Sequence, residues 1–108
     1  MMTRPNAPTG TLFPREKIET ICREFDGIVV IDEAYADFAP DNCMDFAGKF
    51  ANVIVMRTFS KSFSLAGLRL GYAVGDPVVV EGLMKLKDSY NSDRLAQTLG
   101  EAAFADEE

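Results

Sequence analysis

Two short apolar runs set the limits on what this chain can fold into. Gly27-Ile-Val-Val-Ile-Asp32 and Ala51-Asn-Val-Ile-Val-Met56 each hold four consecutive apolar residues, mostly β-branched, with no polar residue alternating among them. Unbroken runs of this kind mark strands buried on both faces, which occur almost only in parallel sheets covered by helices. Helical spacing surrounds them. Pro14 to Phe25 places Ile18, Ile21, Cys22 and Phe25 on one stripe behind a proline at the first turn. Met44 to Phe50 is weakly helical, Leu70-Gly-Tyr-Ala-Val-Gly75 reads as a third strand, and Pro77 to Leu86 and Asp93 to Phe104 read as closing helices. Strands alternating with helices predict an α/β fold with a mostly parallel sheet flanked by helices, and 108 residues allow at most one small domain.

The loops say where function should sit. Pro5-Asn-Ala-Pro-Thr-Gly10 opposes regular structure, and a loop of this kind normally follows a strand, so Met1 to Arg4 reads as the tail of an element. Pro40-Asp-Asn42 and Ser89-Tyr-Asn-Ser92 are further turns. In an open α/β sheet the functional loops gather at the carboxyl ends of the strands. Asn6, Asp32 and Lys61 each follow a strand, so the fold is expected to bring them to one edge.

The chain contains no histidine. Ser-His-Asp and Cys-His catalysis are thereby excluded within it, as is zinc held by histidine, and no metal site is expected. What remains is chemistry by Lys, Tyr, Asp, Glu, Ser or Arg, which favours a lysine nucleophile and an organic cofactor. Cys22 and Cys43 form no CxxC pair and read as free thiols of a reducing compartment. Eleven Lys and Arg are scattered against 17 Asp and Glu, a net charge of -6 with no basic footprint for nucleic acid. No segment approaches the roughly 20 apolar residues of a membrane span. The first residues lack a charged start followed by an apolar stretch, so a cytoplasmic location is expected.

Residues 57 to 71, Arg57-Thr-Phe-Ser-Lys-Ser-Phe-Ser-Leu-Ala-Gly-Leu-Arg-Leu-Gly71, carry one lysine among hydroxyls at Thr58, Ser60, Ser62 and Ser64, with Arg69 downstream. By themselves these residues allow two accounts. Lys61 is either an amine nucleophile beside a phosphate site, with Arg69 a bidentate donor, or a solvated lysine in a Ser-rich turn. Asp32 allows three. A Walker B strand would hold magnesium there, but it needs a partner GxxxxGK[ST], and Gly48-Lys49 is followed by Phe50. Asp32 otherwise caps the following turn, or pairs with the cationic ring nitrogen of a cofactor.

Taken together, Pro5-Asn-Ala-Pro-Thr-Gly10, Asp32-Glu-Ala-Tyr35, and Ser60-Lys61 followed by Ala66-Gly-Leu-Arg69-Leu-Gly-Tyr72 resemble the fold-type I pyridoxal-phosphate aminotransferases, in order and in spacing, over nearly all of the chain. Arg57-Thr-Phe-Ser-Lys61 and Ser89-Tyr-Asn91 are most similar to the histidinol-phosphate aminotransferases. The resemblance implies pyridoxal 5'-phosphate as cofactor, linked covalently to Lys61, which afterwards serves as the base that moves the substrate proton. It implies that Asp32 keeps the pyridine nitrogen protonated and that Tyr35 bonds the phenolic oxygen. Thr58, Ser60 and Arg69 are implied to bind the phosphate. One position departs from the family pattern: Ala7 stands before Pro-Thr-Gly where much of the family has an asparagine, leaving Asn6 to take over that contact or to shape the turn.

The implied reaction moves an amino group from an amino-alcohol phosphate, histidinol phosphate, to a 2-oxo acid, 2-oxoglutarate, in histidine biosynthesis. The implied assembly is a homodimer. The family's chains are longer, so the resemblance makes these residues the central piece of the large, cofactor-binding domain, inactive alone. Threonine-phosphate decarboxylases and other amino-acid aminotransferases share the lysine, aspartate and arginine set. A non-catalytic piece that self-associates through its strand edges is the alternative from outside the enzyme class.

Overall fold

The computed structural model describes residues 1–106. Four strands form one sheet in the order β1 (Met2–Thr3), β2 (Val29–Asp32), β3 (Val53–Thr58), β4 (Gly71–Gly75). The first three are parallel, with Thr3 beside Asp32 and Asp32 beside Met56; β4 is antiparallel to β3, with Val74 opposite Val55 and Gly71 opposite Thr58. The helices are α1 (Arg15–Glu24), α2 (Phe46–Lys49), α3 (Pro77–Met84) and α4 (Arg94–Ala105). Two 3₁₀ turns, Ala36–Phe38 and Ala66–Leu68, follow the tips of β2 and β3. Among the described residues, no helix is long and apolar enough to cross a membrane.

The core forms where strand and helix periods meet. Val29, Ile31, Val53 and Val55 alternate onto one face and pack with Ile18 and Cys22 of α1, Cys43, and Phe46 and Ala47 of α2. Burial on both faces, expected from the unbroken apolar runs, is reached only in part. Ile54 is buried on the second face, but Met56 is 40% exposed and Val30 half-buried, because α1 and α2 lie on the first face. The helix ends are closed by local chemistry. Asp76 accepts from the Val78 amide at 2.9 Å with Pro77 at the first turn, and Asp93 accepts from the Ala96 amide at 2.8 Å.

Two polar ties hold the loops above the sheet. Arg4 is 1% exposed, donating from Nε to the Phe13 carbonyl at 2.7 Å and from Nη2 to Asp41 Oδ1 at 2.7 Å, so the 5–13 loop is pinned to the 40–42 turn. Glu33, just past β2, is buried among donors described below. At the other end of the sheet α4 rests on the segment that follows β3. Phe104 meets Tyr72 edge-on at 5.7 Å between centroids, and Gly100 lies against Leu70.

Candidate active site

The parallel strands β1, β2 and β3 end side by side, and each hands over to one piece of the site. After β1, the proline-rich loop is closed by the Asn6 amide donating to the Thr11 carbonyl at 2.9 Å and the Gly10 amide donating to the Asn6 carbonyl at 2.7 Å. Gly10 has φ of 69°, a left-handed conformation suited to glycine. The Asn6 side chain works within this loop: its Oδ1 accepts from Thr3 Oγ1 and its Nδ2 donates to Thr9 Oγ1 at 2.7 Å. One N–H of the Asn6 amide is left to reach outward. Asn6 and Tyr35 line the same cavity of about 510 Å³, together with Pro8, Leu12, Phe38 and Pro40.

At the tip of β2 the Asp32 carboxylate is half-buried. Its Oδ1 accepts from the Ala34 amide at 3.0 Å, so the turn-capping role weighed from sequence is present. Among the described residues no donor reaches its Oδ2, and the carboxylate keeps capacity for a further cation. Three residues on, Tyr35 presents its ring to Lys61, whose Nζ stands 5.1 Å from the ring centroid. That is cation–π range. Lys61 itself is exposed in its loop.

Beyond β3 the hydroxyls of Thr58 and Ser60 are joined at 3.0 Å, and the Ser60 amide donates to Thr58 Oγ1 at 3.1 Å. Arg69 closes the second 3₁₀ turn at φ of 51°, an uncommon conformation for a non-glycine residue and one that clusters at functional sites. Its Nη1 donates to the Ala66 carbonyl at 3.1 Å, and among the described residues nothing engages the rest of its exposed guanidinium. Ser62, the hydroxyl next to Lys61, donates to Asp37 Oδ2 and so is turned away from any phosphate role.

Glu33 and Arg57 are the residues that sequence reasoning missed. Arg57 Nε and Nη2 both donate to Glu33 Oε2, at 3.1 and 2.9 Å, while the Cys43 amide donates to Glu33 Oε1. Burial works against the charge on Arg57, but the hydrogen bonds and charge of Glu33, with Tyr72 and Asp37 adding, prevail and raise its pKa above the ordinary value. The adjacency of Glu33 to Asp32 and of Arg57 to Thr58 was the available signal. Cys43 is no nucleophile here: burial pushes its thiol up to about 11, and nearby Arg4 only partly offsets that.

Over residues 1–108 the chain matches the family model described as aminotransferase class I and II. It is 54% identical over 107 residues to the histidinol-phosphate aminotransferase of Syntrophotalea carbinolica, covering 99% of this chain and 31% of that protein. It is 50% identical over 100 residues to the enzyme of the same name from Rippkaea orientalis, covering 93% of this chain and 29% of that protein. Among solved structures, the histidinol-phosphate aminotransferase from Sinorhizobium meliloti in complex with pyridoxal-5'-phosphate superposes with a TM-score of 0.88 at 30% identity, covering 96% of this chain and 30% of that one. The chain thus spans about a third of the length of these relatives. With a sheet that ends in the lysine, tyrosine and aspartate of one edge, and a family match along its whole length, the chain belongs to the class I and II aminotransferases.

Proposed function

We propose that these residues are the central part of the cofactor-binding domain of a histidinol-phosphate aminotransferase that uses pyridoxal 5'-phosphate and 2-oxoglutarate. The observation that carries the reading is Lys61 Nζ held over Tyr35, three residues past an Asp32 whose second carboxylate oxygen is unengaged. The donor set fits the group. Lys61 offers a primary amine for an aldehyde, Asp32 an anionic acceptor for a protonated ring nitrogen, and Tyr35 a hydroxyl that takes no hydrogen bond among the described residues. Thr58, Ser60 and Arg69 offer two hydroxyls and a guanidinium for a phosphate.

When bound, pyridoxal 5'-phosphate supplies a ring that takes up the electron pair released at the substrate Cα. The chain's own residues do the rest. Asp32 holds a proton on the ring nitrogen by charge and hydrogen bonding. Lys61 Nζ would hold the group covalently at rest and, once free, would accept the substrate's Cα proton and return it at C4′, across the intervening nitrogen. Tyr35 donates to the ring oxygen, and the Thr58, Ser60 and Arg69 cluster anchors the phosphate so that the ring keeps its place. The same reading makes the full-length protein a cytoplasmic homodimer.

Borohydride reduction of the full-length protein with pyridoxal 5'-phosphate should leave a pyridoxyl group on Lys61, read by peptide mass. Amino transfer to 2-oxoglutarate should be faster from histidinol phosphate than from aspartate or aromatic amino acids. An unlabelled Lys61 would remove the cofactor reading. A preference for another amino donor would leave the cofactor standing and remove the substrate.

A further inference from the structure

A single run of charged hydrogen bonds joins the tip of β2, the tyrosine turn and the lysine loop, and the chemistry above makes no use of it. It starts at Glu33, whose side chain is fully buried and whose Oε1 is already taken by the Cys43 amide. Its Oε2 accepts from Arg57 Nε and Nη2, at 3.1 and 2.9 Å. The remaining arm of the guanidinium, Nη1, donates to Asp37 Oδ1 at 3.1 Å, and Asp37 Oδ2 accepts from Ser62 Oγ. Every member abuts a site residue: Glu33 follows Asp32, Arg57 precedes Thr58, Asp37 lies two residues past Tyr35, and Ser62 follows Lys61.

The run matters because little else fixes Lys61. The lysine is exposed on a long, rotatable stem, and among the described residues the Ser62–Asp37 bond is the one hydrogen bond between the 59–70 loop and the turn that carries Tyr35. Asp37 is in turn held by Arg57, whose other two donors are clamped by the buried Glu33 carboxylate. A guanidinium can serve two carboxylates at fixed angles through separate nitrogens, which an ammonium cannot.

We propose that Glu33, Arg57, Asp37 and Ser62 form a positioning relay that holds Lys61 Nζ against the Tyr35 ring. The relay rests on the cofactor reading above, and its test separates the two. In the full-length protein loaded with pyridoxal 5'-phosphate, the visible absorbance of the lysine-bound cofactor is titrated with pH. Asp37→Ala and Ser62→Ala, both at exposed positions and so tolerated by the fold, should each move the midpoint by about 0.5 to 1 unit, the size expected for loss of one hydrogen bond in the chain. The double variant should move it no further than the larger single. Ser62→Thr, which keeps the hydroxyl, should restore the wild-type midpoint, and Arg57→Lys should not. Wild-type midpoints in both alanine variants, or shifts that simply add in the double, overturn the relay while leaving the cofactor reading intact. A wild-type protein that takes no borohydride-stable label at Lys61 overturns the cofactor reading and the relay with it.

Discussion

Removing Arg57 should cost this protein more stability than removing the carboxylate it serves. The Glu33 side chain is 0% exposed and that of Arg57 is 17% exposed. In Arg57→Ala, Glu33 keeps only the Cys43 amide, and a buried charge loses its counter-ion, which costs about 3–5 kcal/mol. In Glu33→Gln, Arg57 still bonds Asp37 at 3.1 Å and reaches solvent at its edge, so the loss should be about 1–3 kcal/mol. The double variant Glu33→Leu/Arg57→Met removes both charges and should recover part of the Arg57→Ala loss, the remainder being the buried Cys43 amide left without its acceptor, which costs about 1–3 kcal/mol. Equilibrium urea unfolding followed by circular dichroism gives all three values. Arg57→Ala falling within about 1 kcal/mol of wild type would refute the reasoning, because a loss typical of an exposed pair means that Glu33 finds water when its partner goes.

Three further outcomes follow from other parts of the structure. Asp32→Asn replaces a charged acceptor for the ring nitrogen with a neutral one; a charged hydrogen bond is worth about 1.5–3 kcal/mol, so cofactor affinity measured by dialysis should fall about ten- to hundredfold, with the fold unchanged. Because burial holds the Cys43 thiol at about 11, above its value of 9.0 in an exposed setting, the folded state keeps a proton that the unfolded state has lost between those values. Stability should therefore be whole below pH 9, decline as pH rises through that window by at most about 1.4 kcal/mol per unit, and decline less in Cys43→Ala. A Cβ at Gly100 would lie 2.3 Å from Leu70 Cδ2 and 3.9 Å from Phe59 Cζ. Gly100→Val should cost about 1–3 kcal/mol and expose α4 to proteolysis, whereas in Gly100→Ala a turn of the flexible Leu70 end and a helix gain of about 1 kcal/mol should nearly cancel.

The strands that carry the site were legible because they are apolar and β-branched, and α1 because Ile18 and Cys22 repeat at helical spacing. The polar end of β3 was not. Arg57 and Thr58 belong to the strand, pairing with Tyr72 and Gly71, but their side chains interrupt the apolar run that announces it. The direction of β4 was recoverable in principle: residues 59 to 70 show no helical repeat, and a return without a helix suits an antiparallel neighbour, where a parallel one needs a longer crossover. Burial on both faces was met only in part, because an apolar run reports what a strand tolerates, and not which elements cover it. In the candidate site, strand ends pointed to Asp32 and Lys61, and the family resemblance pointed to Tyr35. Neither gave Arg4 or Glu33, whose burial is decided by Asp41, Phe13 and Arg57, partners distant in the chain and visible only once it has folded.

The lysine loop leaves and rejoins the sheet at a single rung, since Thr58 faces Gly71 across β3 and β4. It is therefore a self-contained excursion whose ends are held together by the ladder whatever happens at its tip. Lengthening such a loop is thermodynamically mild, about 0.6 kcal/mol for a full doubling, so the sheet would scarcely register one added residue. Lys61 would register it at once, because its distance to Tyr35 is set by how many residues separate it from that rung. The length of this segment is thus held by chemistry and not by stability. Chains that keep the sheet are free to vary this loop once they no longer need an amine at that spot.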